Sequence, residues 1–149
     1  MTEKEALFQY CQNYVQQRID SILEEIKVVQ LASNEDTKSS AGDKYETGKA
    51  MAQLEVERNL GQLKEAEKLK SILQKITSSG SRDRIAAGSL VTTSRGVFYI
   101  AISLGLTVLD KKSYFIVSAD SPIGKLLQGK QVDDRIAWSG SEFVIETID

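Results

Sequence analysis

The sequence predicts an α+β protein: an N-terminal antiparallel coiled-coil helical hairpin over 1–77, a linker over 78–84, and a small β-rich domain with one short helix over 85–149. Three observations predict it. Apolar residues recur at steps of three and four through the first half. The tract SSGSRDR, 78–84, ends that periodicity with serine, glycine and charge. Beyond it, β-branched and aromatic residues crowd short runs separated by turn residues.

From Glu3 to Ile76 the chain contains no proline and is rich in Glu, Lys, Gln and Leu, all favourable in helices. Phe8, Cys11, Val15, Ile19, Ile22, Ile26 and Val29 fall on one face of a first arm. Val56, Leu60, Leu63, Ala66, Leu69, Leu73 and Ile76 do the same on a second. Two narrow apolar stripes joined by a polar break are satisfied by folding back on each other. An arm of about 30 residues spans roughly 45 Å at helical rise, too long for the second domain to cover, so a projecting rod is expected. The break, NEDTKSSAGDKYETGK at Asn34–Lys49, then forms its tip and carries Glu35, Asp36, Asp43 and Glu46. Gly42 and Gly48 loosen the helix there, and Asp43 is placed to cap the second arm.

In the second half, LVTTSRGVFYIAIS (Leu90–Ser103) reads as two strand runs around Arg95-Gly96, and SYFIVSA (Ser113–Ala119) as a third. RIAWSGSEFVIETI (Arg135–Ile148) reads as a hairpin around Ser139-Gly140. Between them, SPIGKLLQGK holds a short helix with Ser121 as cap, Pro122 in the first turn and Gly129 past the end. Phe98, Tyr99, Tyr114, Phe115 and Trp138 are spaced as strand residues, so core packing is their expected role.

Composition narrows the chemistry. The absence of histidine removes Ser-His-Asp and Cys-His nucleophiles and histidine acid–base catalysis. A formal charge of -2 argues against nucleic-acid binding by the chain as a whole. Cys11, the single cysteine, lies on an apolar helix face and is expected to be a small core residue. No apolar run reaches the roughly 18 residues of a membrane span, and MTEKEALFQY lacks the pattern of a signal peptide. A cytoplasmic protein without membrane contact is expected.

DSPIGKLLQGKQVDDRI, Asp120–Ile136, closely resembles the C-terminal signature of the Gre-type transcript cleavage factors of bacterial RNA polymerase. That signature runs as Ser-Pro, a small apolar helix, Gly-Lys and then Val-Gly-Asp. With a helical hairpin in front, the resemblance covers nearly the whole chain. It implies an FKBP-like C-terminal domain that docks on RNA polymerase through Ser121, Pro122, Ile123, Gly124 and Lys125, while the hairpin enters the secondary channel. It further implies that tip acids, here Asp36, Asp43 and Glu46, help hold a second Mg²⁺ at the polymerase active site for cleavage of backtracked RNA. Carboxylates are hard oxygen ligands suited to Mg²⁺, and a second metal activates water and stabilises developing charge. The free protein is then expected to carry no cofactor or metal of its own, to be a monomer rather than an enzyme, and to meet nucleic acid only through the transcription complex.

The family tip reads Gly-Asp-x-x-Glu-Asn-Ala-x-Tyr. Laid over DTKSSAGDKY without gaps, it matches Asp36 and Ala41, and puts Ser39 where the glutamate stands. Two other functions follow from that departure and from the stripes: a channel-binding regulator without cleavage stimulation, and a generic coiled-coil interaction protein. Ser121, Pro122 and Gly124 also fit helix capping on its own. An FKBP-like fold does not by itself bring isomerase activity.

Overall fold

The computed structural model describes residues 1–38, 42–76 and 83–149, with the side chains of 34–38 and 42–46 outside the described set. Helix α1 spans Glu3–Lys38 and helix α2 spans Gly42–Lys75. A capping box opens α1: the Thr2 hydroxyl accepts from the Glu5 amide at 3.1 Å, and the Glu5 carboxylate accepts from the Thr2 amide at 3.1 Å. The helices take up most of the polar break as well, because its Glu and Lys residues are compatible with helix. Gly42 begins α2, so Asp43 stands inside its first turn instead of ahead of it, and Gly48 lies within the helix.

The contacts divide the chain into two compact units, 13–70 and 1–12 with 71–149. Within the first unit, Val15, Ile19, Ile22 and Ala66 are buried, as the stripes predict. Asn59 takes the buried place expected of Leu60, which is 50% exposed. The reason is spacing: Val56, Asn59, Leu63 and Ala66 follow steps of three, four and three, and Leu60 lies about 100° farther round the helix. At the start of α1, in the second unit, Leu7 is fully buried and the expected Phe8 only half-buried.

The sheet unit has six strands: β1 (Leu90–Thr93), β2 (Gly96–Ala101), β3 (Gly105–Leu109), β4 (Lys112–Ser118), β5 (Arg135–Trp138) and β6 (Ser141–Ile148), with helix α3 (Pro122–Leu127) between β4 and β5. Their order is β3-β4-β2-β1-β6-β5. β1 pairs antiparallel with β2 and with β6, and β2 pairs in parallel with β4, with Phe98 opposite Phe115. Strand β3 is absent from the five runs predicted from sequence. It folds back on β4 through Asp110-Lys111, both at positive φ (51° and 67°), a turn that the lack of glycine conceals in the sequence. The Ser139-Gly140 turn of the last hairpin is found where it was expected, also at positive φ.

Alternate residues send their side chains to opposite faces. On one face, Val91, Phe98, Ile100, Phe143 and Ile145 form a core with Ile123 and Leu127 of α3. On the other, Tyr99 and Ile116 are buried. Leu7, Cys11 and Leu73 belong to the same unit and are buried as well. The Lys112 ammonium reaches the Glu3 carboxylate at 3.2 Å and stands 5.6 Å from the centre of the Tyr114 ring, tying the first turn of α1 to β4. Trp138 does not join the core. It sits 40% exposed on the edge strand β5, of which only Ile136 is buried.

Candidate functional site

The acids predicted for the tip stand on the backbone that approaches the α1–α2 connection: Asp36 two residues before the end of α1, Asp43 and Glu46 in the first turns of α2. Their side chains, and Ser39 altogether, lie outside the described residues. Among the described residues, no group of three or more His, Cys, Asp or Glu side chains is placed to hold a metal ion. A shallow groove between the arms is lined, among the described residues, by Val29, Ser33, Ala52 and Val56 with Gln30, Lys49 and Gln53.

The second predicted site is described in full. Ser121 has extended backbone (φ -67°, ψ 158°) and caps α3. Its hydroxyl accepts from the Gly124 amide at 3.0 Å and donates to the Ser118 carbonyl at 2.7 Å, so one side chain closes the helix start and fixes the end of β4. Pro122 follows at the first helical position, where its missing N–H costs nothing. Ile123 is 9% exposed and enters the core beside Leu127.

Gly124 corrects the expectation that capping explains the motif. A Cβ on this residue would lie 2.0 Å from the Ser118 carbonyl oxygen and 3.0 Å from that of Ala119. Glycine is required by close approach of backbone, not by the cap. Gly129 follows the helix at φ 78°, donating its amide to the Ile85 carbonyl at 2.8 Å, while its own carbonyl accepts from the Arg84 guanidinium at 3.0 Å.

Of the five predicted docking residues, then, Ile123 and Gly124 face inward and the Ser121 hydroxyl is engaged locally. Pro122 and Lys125 are exposed, with Leu126 beside them at 38%. Leu126 was not singled out from the sequence; its position one residue past Lys125, off the Ile123–Leu127 face, is the signal that would have found it.

Cys11 is fully buried, and burial pushes its thiol up to about 12. Burial likewise raises Tyr99, whose ionisation the Cys11 thiolate would further oppose. Both groups are neutral core residues at ordinary pH, which fits the structural role expected of the cysteine. Because the folded value of Cys11 stands above its ordinary 9.0, its contribution to stability is complete below about pH 9 and is lost as pH rises towards 12. Thermal melts between pH 8 and pH 11 are expected to show Tm falling above about pH 9. Cys11→Ala is expected to remove part of that slope and leave the part that comes from Tyr99.

No family model matches the chain, and no curated protein matches it. Among solved structures, that of the transcription factor Gfh1 matches 91% of this chain and 91% of its own at 23% identity, with a TM-score of 0.35.

Proposed function

We propose that the protein is a transcription elongation factor of the Gre type that binds bacterial RNA polymerase and inserts the α1–α2 connection into the secondary channel. The observation that carries this reading is the agreement between the Gre-type signature and the local backbone of 120–136. Ser-Pro opens α3 as cap and first residue, and Gly-Lys follows the helix at Gly129. Asp133, at the place of the glycine in Val-Gly-Asp, has φ 74°, a conformation glycine favours. Asp134, at the place of the aspartate, closes the same turn by accepting from the Gln131 amide at 2.8 Å. The local backbone therefore takes the conformations that the signature's residue types favour, including the positive φ at 133, where this chain has aspartate in place of glycine.

In this reading the protein has no active site of its own and acts in the cytoplasm as a monomer. Pro122 and Lys125 supply the exposed contacts on the polymerase, while Ser121, Ile123 and Gly124 hold α3 in shape. Asp36, with Asp43 and Glu46, would offer oxygen ligands to a Mg²⁺ held by the polymerase, and that ion would supply water activation for cleavage of backtracked RNA. α1 alone, with 36 residues, spans about 54 Å, a length suited to a deep channel.

A second reading rests on Ser39, which puts a hydroxyl where the family has a carboxylate: the protein occupies the channel and modulates transcription without cleavage. RNA cleavage in a stalled, backtracked complex separates the two at equal occupancy. Stimulation by the wild-type protein that falls at least about tenfold in Asp36→Ala/Asp43→Ala is expected for a ligand-donating tip. No stimulation, with binding intact, assigns the protein to the second class.

A further inference from the structure

We infer that residues 59–61 of α2 form a built-in point of local opening in the helix pair. Two independent observations meet there. Asn59 is 1% exposed at a seam position between Val56 and Leu63, and its Nδ2 has no hydrogen-bond partner among the described residues. Two residues on, Gly61 sits in the interior of a helix of 34 residues, and a Cβ built on it would meet nothing within 4 Å. No close approach and no left-handed backbone calls for glycine at that position.

Each feature favours the open state over the closed one. A buried donor without a partner forfeits its hydration when the seam closes and regains it when water enters. Glycine in a helix interior lowers helix stability relative to alanine and gives the open segment more backbone freedom. Placed two residues apart, the two act on the same turn of α2. The flanking seam is conventional, with partly buried Val56 and Leu63 and fully buried Ala66. The segment is thus a weak turn between two ordinary ones, where α2 can bend or part from α1 without the ends of the pair coming apart. This holds whether or not the protein acts on RNA polymerase.

Hydrogen exchange on the full chain tests it. The amides of 57–63 are expected to exchange about tenfold faster than those of 64–70, as a local maximum along α2. Asn59→Leu and Gly61→Ala are each expected to flatten that maximum and to raise Tm by about 2–5 °C. Exchange that declines smoothly along α2 with no step at 59–61 would overturn the inference. So would variants that leave exchange unchanged or lower Tm.

Discussion

Replacing Gly124 by alanine is expected to lower Tm by on the order of 10 °C. The new Cβ would stand 2.0 Å from the Ser118 carbonyl oxygen, which is backbone and cannot rotate away. Either α3 or the end of β4 must move. Movement of either one breaks the Ser121 hydroxyl's bond to Ser118 and its acceptance from Gly124, at 2.7 and 3.0 Å. Overpacking and loss of the cap together cost about 2–5 kcal/mol. Ser121→Ala, which loses the cap without the clash, is expected to cost about 1 kcal/mol. Thermal or urea unfolding of the two variants measures the difference. Equal losses would mean that the cap alone dictates the motif.

Phe98→Ala is expected to destabilise the sheet unit by about 3–5 kcal/mol. Its ring stacks on Phe115 at 5.2 Å and on Phe143 at 5.8 Å, so one side chain of β2 links β4 to β6. Truncation removes a buried ring and both stacking partners at once, and the cavity opens beneath Ile123 and Leu127, which pack in the same cluster. Phe98→Leu, which keeps apolar volume but loses stacking, is expected to recover more than half of the loss. Urea midpoints of the two variants test this. A Phe98→Leu midpoint as low as that of Phe98→Ala would show that stacking outweighs burial.

The helical half was legible because a period of 3.6 repeated over some twenty positions survives single exceptions. One such exception decides a detail. Leu60 and Asn59 differ by one step round the helix, and hydrophobicity favours the leucine, but the spacing set by Val56, Leu63 and Ala66 buries the asparagine. In the sheet, hairpins marked by glycine at Gly96 and Gly140 could be read directly. Strand β3 could not, since it is short, has Leu106 and Val108 exposed at over 60%, and ends in a turn without glycine. The parallel pairing of β2 with β4 follows from β3 lying outside β4, so missing one strand hid the order of the sheet as well.

The signature helix divides in the same way. The cap at Ser121 and the place of Pro122 are local chemistry and were legible. The need for glycine at 124 depends on how closely α3 approaches the end of β4, a tertiary distance that no spacing in the sequence encodes. Exposure on such a short helix is likewise set by what lies beneath it. The five predicted contact residues therefore separate into buried supports and an outer face of Pro122 and Lys125, with Leu126 added.

Site-specific photo-crosslinking from the tip tests the proposed function most directly. A benzophenone amino acid placed at position 40, in the full chain, is mixed with RNA polymerase core at micromolar concentration and irradiated. Stable association with crosslinks to the inner wall of the secondary channel, near the polymerase Mg²⁺, is the expected result. No association at that concentration, or crosslinks confined to surfaces outside the channel, would contradict it.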